Sequence, residues 1–305
     1  MPTGCSWIEG TTVGICDAVF MATTLTITPH APACGAFIEG LDVRRATADE
    51  ISELSHVLAD RGVIFLRDQQ LTPEEQVAVT ARFGSVLRVP YVKHLDEHPD
   101  IIAVLKEADE KKISTFGGTW HSDFSFLDAP PSLTLLYGKE IPACGGDTLW
   151  SSQYAAFDSL SRRLQELLCG LSAIQTGWPH GTKGPGPNVA VSRSVVMTRN
   201  DPTADREVAH PVVRVHPLSG RKALFVNPVY TQRFEGMSQD ESAALLSFLF
   251  QHATRPEFTC RLQWEPGTLA IWDNRCLLHL AINDYDGERR LLHRTTVAGE
   301  VPIHP

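Results

Sequence analysis

Three His-x-Asp pairs stand out in the chain: His94–Asp96, His98–Asp100 and His121–Asp123. Neutral imidazole and ionised carboxylate are ligands for a divalent first-row metal. Two histidines and one carboxylate on one face of Fe(II) leave positions open for substrate and oxygen. Residues two apart on a strand project to one side, so both members of such a pair can reach one ion. The first two pairs share the charged segment KHLDEHPD, which contains Pro99 and reads as a solvated loop. The third lies in TWHSDFSF, where His121 and Asp123 alternate with Trp120, Ser122 and Phe124. This stretch reads as a strand leading into an apolar one. A buried carboxylate there needs a partner, which is either a metal or a structural hydrogen bond to the histidine.

A third ligand must come from elsewhere among twelve histidines. His279 follows TLAIWDN, which reads as a buried strand ending in a turn. Taken alone, His279 reads as a surface-loop histidine rather than a ligand. His293, on the strand RRLLHRTTV, is its rival. On that strand Arg290, Leu292 and Arg294 share one face, and Leu291, His293 and Thr295 share the other. Two inward arginines need anions to neutralise them, and guanidinium holds carboxylates in a bidentate grip. An exposed edge-strand face is the alternative.

The elements that must position these groups are mostly strands. Capping boxes at Thr47–Glu50 and Ser238–Glu241, and Thr72 followed by Pro73, start helices. These run to Gly62, to about His252 and over 73–83. A further helix spans Ser161–Cys169. Strands are expected at Leu25–Thr28, Gly35–Val43, Val63–Leu66 and Ile101–Leu105. More are expected within 119–152, at 211–215 and 222–226, and finally at 257–264, 267–272 and 289–297. Residues 178–209 read as a long polar loop or lid. The fold class is mostly β with appended helices, a β-sandwich or jelly roll. No linker divides 21–305, which read as one domain. Residues 1–20 read as an unstructured N-terminal extension, with translation starting at Met21.

Composition bounds the partners. The 305 residues are 43% hydrophobic and 21% charged, with a formal charge of −9. This is ordinary globular usage. The acidic balance argues against nucleic acid or an anionic membrane as the main partner, and no apolar run is long enough to span a bilayer. Seven widely spaced cysteines without a CxxC fit reduced thiols in a cytoplasm. A homo-oligomer is allowed.

The stretches WHSDFSFLDAPPS, IPACGGDTLW, HPVVRVHPLSGRKALFVN, LAIWDNRCLLH and YDGERRLLHRTTVAGEVP give the sequence a family likeness. Over about residues 25–303 it resembles the Fe(II)/2-oxoglutarate dioxygenases of the taurine and phenoxyalkanoate dioxygenase (TauD/TfdA) type. The family order of His-x-Asp, Thr, distant His and Arg falls here on His121, Asp123, Thr148, His279 and Arg290. The resemblance implies iron ligation by His121, Asp123 and His279, with O2 as co-reactant. It implies that Thr148 and Arg290 hold the distal carboxylate of 2-oxoglutarate, and that Arg294 meets an anionic group of the primary substrate. The implied fold is a double-stranded β-helix. Val89, Val92 and Gly117 stand where taurine enzymes carry a His, a Tyr and an Asn. This points away from taurine, toward an alkyl sulfonate, a sulfate ester or an aryloxyalkanoate. A metal-dependent hydrolase with the same His/Asp/His set and a noncatalytic jelly-roll binding protein are the other classes consistent with the residues.

Overall fold

The computed structural model describes residues 25–111, 116–184 and 194–305. The proposed extension over 1–20 lies outside them. The first third carries β1 (Thr26–Pro29), β2 (Ala36–Glu39), α1 (Ala48–Arg61), β3 (Val63–Leu66), α2 (Pro73–Ala81) and β4 (Ile102–Lys106). The middle carries β5 (Leu133–Glu140), β6 (Thr148–Ser152), α3 (Gln153–Asp158), α4 (Arg162–Cys169), β7 (Ser172–Gln175), β8 (Val208–Pro211), β9 (Val213–Val215) and β10 (Lys222–Leu224). The last part carries β11 (Thr231–Phe234), α5 (Gln239–His252), β12 (Thr259–Leu262), β13 (Leu269–Asp273), β14 (Leu277–Ala281) and β15 (Arg290–Val297). No described helix is long and apolar enough to cross a membrane.

Seven strands form one sheet in the order β1-β2-β3-β13-β5-β15-β4. Alternation along the strands divides its side chains between two cores. Ile64, Leu66, Leu135, Tyr137, Leu269 and Ile271 join Leu54 and Leu58 of α1 and Val79 of α2 in one apolar cluster. Their neighbours Val63, Phe65, Leu136, Ala270, Trp272 and Leu292 join a second cluster with Trp150, Cys260, Leu262 and Leu277. These four belong to a three-stranded sheet, β12-β6-β14. The second core therefore lies between two sheets, and the site is built at that junction.

The helix starts follow the caps. Thr47, Thr72 and Ser238 each accept from the backbone N–H three residues on, and Glu50, Glu75 and Glu241 bond back to the cap. Gly62 ends α1 at φ +75°, a left-handed conformation that costs glycine little.

The strand expected across TWHSDFSF does not form. His121 makes one isolated antiparallel bridge, to His279, and the chain then turns. Phe124 adopts φ +45°. The carboxylate of Asp123 accepts from Thr134 and pairs with Arg294, and those distant partners outweigh the local strand pattern. The three closing strands are four, because the apolar run CLLHLA after Asn274 forms β14. Strands β7, β8 and β11 and helix α3 were not expected. The expected strand over Gly35–Val43 is limited to Ala36–Glu39, followed by a 3-10 turn at Val43–Arg45. Within 178–209, a 3-10 turn covers Pro202–Asp205 and Met197 bridges Val92. Residues 185–193 of that segment lie outside the described residues.

Candidate active site

His121, Asp123 and His279 come together from an isolated bridge, a turn and β14. Their ligand atoms lie within 4.8 Å of one another, and all three residues are buried. Asp123 Oδ1 is 3.6 Å from His121 Nε2 and 3.7 Å from His279 Nε2. The Nδ1–H of His121 donates to the Thr119 carbonyl at 2.7 Å. In the neutral ring this bond places the lone pair on Nε2, the nitrogen that faces the carboxylate. Burial, and then His121, push the pKa of His279 well down, which favours its neutral form. Burial alone would raise Asp123; Arg294, then His279 and His121, outweigh it and hold the carboxyl far below the ordinary range. Two imidazole nitrogens facing one ionised carboxylate suit a divalent cation.

The carboxylate is held from behind. Thr134 Oγ donates to Asp123 Oδ2 at 2.7 Å, and Asn274 Nδ2 donates to Thr134 at 2.9 Å. Arg294 Nη1 meets Oδ1 at 3.1 Å.

A small cavity joins His121 and His279 to Thr148, Arg290 and Arg294, with Leu136 and Trp272 in its wall. Arg290 is 3% exposed, and its Nε and Nη2 have no partner among the described residues. Burial lowers its pKa. Gly146, at φ +72°, lies against the Arg290 stem, where a Cβ would meet Cδ and Nε at 3.1 Å. Trp264 Nε1 donates to Thr148 Oγ1 at 2.9 Å, which leaves the Thr148 hydroxyl hydrogen available. Arg294 Nε and Nη2 likewise have no partner among the described residues. Buried N–H groups without acceptors fit a carboxylate in this space.

A second cavity, of about 610 Å³, is lined by His121 and Asp123 and shares Phe116, Gly117 and Ala281 with the first. Phe116, Phe124, Trp178, Met197, Tyr230 and Leu280 make much of its wall.

All six residues singled out in the sequence therefore border one site. The rival His293 does not. It lies on the other face of β15, its pKa pushed down to about 4 by burial and by neighbouring Lys139 and His98. Neither the His94–Asp96 nor the His98–Asp100 pair joins the cluster. Asp96 is solvated beside Lys93, and Asp100 pairs with Arg88. Val89 and Val92 are buried behind the aromatic wall with Phe124, Phe126 and Tyr230, whereas Gly117 lines both cavities. Sequence reasoning missed Thr134, Asn274 and Trp264. For Thr134 the signal was a polar residue within an apolar strand sequence; Asn274 and Trp264 lie just beyond strand ends and gave none.

The family model described as "Taurine catabolism dioxygenase TauD, TfdA family" matches residues 26–296. An alkylsulfatase of Acinetobacter baylyi is 35% identical over 270 residues, covering 88% of this chain and 83% of that one. An alpha-ketoglutarate-dependent sulfate ester dioxygenase of Pseudomonas putida is 32% identical over 287 residues, covering 92% of each chain. The crystal structure of a taurine dioxygenase from Burkholderia xenovorans superposes with a TM-score of 0.77 at 33% identity, covering 93% of this chain and 94% of that one. The site geometry and these likenesses agree: the chain belongs to the TauD, TfdA family of dioxygenases.

Proposed function

We propose that the protein is an Fe(II)- and 2-oxoglutarate-dependent dioxygenase of small organic anions. Its substrate is an alkyl sulfonate, a sulfate ester or an aryloxyalkanoate, and the co-products are succinate and CO2. The fold is read as a double-stranded β-helix (jelly roll), with the site between its two sheets. One observation carries the reading: the histidines of a buried His121/Asp123/His279 donor set line one cavity with Arg290, whose Nε and Nη2 have no partner among the described residues.

When bound, Fe(II) with 2-oxoglutarate and O2 supplies the oxidising power for C–H hydroxylation. The chain's own groups do the rest. His121 Nε2, His279 Nε2 and Asp123 Oδ1 hold the metal. Arg290 and the Thr148 hydroxyl take the distal carboxylate of 2-oxoglutarate, since Arg290 Nε and Nη2 and the Thr148 hydroxyl hydrogen are donors without an acceptor among the described residues. Arg294 balances the Asp123 charge through Nη1 and keeps Nε and Nη2 for the anionic head of the substrate. The aromatic wall of the larger cavity takes the apolar body and excludes water. Hydroxylation at a carbon bearing oxygen or sulfur gives a product that collapses to a carbonyl compound and a leaving group. The likenesses to sulfate-ester enzymes support this substrate range.

The test is succinate release with Fe(II), 2-oxoglutarate and O2 across alkyl sulfates, alkyl sulfonates, aryloxyalkanoates and taurine. Substrate-stimulated release from apolar-bodied anions, with little from taurine, is expected. No stimulation by any anion, or efficient turnover of a neutral or cationic compound, would overturn the reading.

A further inference from the structure

His180 and Arg199 line the larger cavity, and the chemistry above uses neither. His180 is 4% exposed. Its ring stacks on Tyr91, with centroids 5.2 Å apart and 19° between planes, and on Phe124, at 6.3 Å and 9°. The Nδ1–H donates to the Thr198 carbonyl at 3.2 Å. A carbonyl can only accept, so in the neutral ring the lone pair sits on Nε2. Burial pushes the His180 pKa down; the Thr198 bond opposes this and the charge of Arg199 adds to it. The ring is therefore neutral near pH 7. Among the described residues none bonds to Nε2, which is not one of the atoms sealed from solvent. In a residue this buried, an open Nε2 is reached from the cavity that the residue lines.

Arg199 anchors beside it. Its Nη1 donates to the carbonyl of Pro179, the residue before His180, at 3.1 Å. No described carboxylate pairs with it, and its remaining N–H groups have no described partner. An acceptor and a donor fork thus sit side by side in a wall that is otherwise largely Trp178, Met197, Val229 and Tyr230.

We propose that His180 Nε2 and the Arg199 guanidinium form a substrate subsite for an uncharged hydroxyl or carboxamide carried on the apolar body of the substrate. That group's hydrogen is donated to Nε2 and its oxygen accepts from Arg199. A carboxylate fits less well, because it has no hydrogen for Nε2 and sets its charge against that lone pair. A cavity of about 610 Å³ has room for an anionic head, an apolar body and this second group. The inference rests on the dioxygenase reading and narrows its substrate class to amphiphilic anions with a second polar end.

The test uses the full chain loaded anaerobically with Mn(II) and 2-oxoglutarate. Alkyl sulfates of one chain length, ending in methyl, hydroxyl, carboxamide or carboxylate, are titrated by calorimetry, and succinate release is measured in parallel with Fe(II) and O2. Hydroxyl- and amide-ended members should bind at least about tenfold more tightly than the methyl-ended one. His180→Phe, which keeps the stack and removes the acceptor, should erase that preference, and Arg199→Met should do the same. Retained 2-oxoglutarate binding reports a folded site. Equal affinity for methyl and hydroxyl ends in the unaltered protein, a preference for the carboxylate end, or a preference that survives His180→Phe would overturn the subsite. Succinate release without end-group preference sinks the subsite alone. Absence of both 2-oxoglutarate binding and succinate release sinks the dioxygenase reading beneath it.

Discussion

Thr134 Oγ donates to Asp123 Oδ2 at 2.7 Å inside a fully buried contact. The direction of this bond is set by Asn274, whose Nδ2 donates to the same hydroxyl. Oδ2 is thereby occupied, and Oδ1 turns toward the two Nε2 atoms. Thr134→Val keeps the shape and removes the donor. It should weaken Mn(II) or Fe(II) binding by about 10–100-fold, the usual cost of losing a partner behind a ligand. Thr134→Ser should restore most of the affinity. A metal titration in which Val equals Thr would show that Asp123 does not depend on this bond.

The ligand assignment itself predicts a sharp contrast. His121→Ala, Asp123→Ala and His279→Ala should each abolish metal-dependent succinate release while the purified protein stays folded by circular dichroism. His94→Ala and Asp96→Ala should change little, because neither residue approaches the cluster. Activity at the unaltered level in any of the first three would remove that residue from the metal.

The two arginines of β15 should separate in their effects. Arg290→Ala leaves a bound carboxylate without its donors and should weaken 2-oxoglutarate by about 2–5 kcal/mol. Arg294→Ala should raise the KM of the primary substrate much more than that of 2-oxoglutarate. It also removes a cation 3.1 Å from Asp123 Oδ1, so metal affinity should not fall. An unchanged 2-oxoglutarate affinity in Arg290→Ala would mean that another group holds that carboxylate.

Five of the six site residues carried only weak local signals in the sequence: a His-x-Asp pair, a histidine beyond an apolar strand, two arginines on one strand face. Thr148 stood out only through the family order, which also joined the weak signals into one pattern. The helix starts were legible locally, since a capping box is complete within four residues. What was not legible is long-range. Nothing near Asp123 shows that Thr134, Asn274 and Arg294 surround it, and those contacts turn the chain where its alternation suggested a strand. His279 read as a loop residue because the turn after Asp273 hid the next strand. The short strands β7, β8 and β11 lacked clear alternation and are defined by their pairing partners.

Asp273 gives a prediction in pH. Its buried carboxylate accepts from the Arg275 backbone N–H at 2.9 Å, from Arg275 Nε at 2.8 Å and Nη2 at 2.6 Å, and from His216 Nε2 at 3.0 Å. The Nδ1 of His216 accepts from the backbone of Leu218 and Ser219, so Nε2 is the protonated nitrogen and the donor. Burial alone would raise the Asp273 pKa, but Arg275 and then His216 outweigh it and hold it well below the ordinary range. A carboxyl depressed on folding contributes stability that is fully present above its unfolded value, about 4, and is lost as pH falls below it. Asp273→Asn should cost about 3–5 kcal/mol at pH 7, the penalty for breaking a buried pair. It should also flatten the fall in stability below about pH 4. Asp123 acts in the same direction, so the slope should shrink rather than vanish. Urea unfolding between pH 3 and 7 measures both effects. A variant with an unchanged slope would show that Asp273 keeps no depressed pKa in the folded protein.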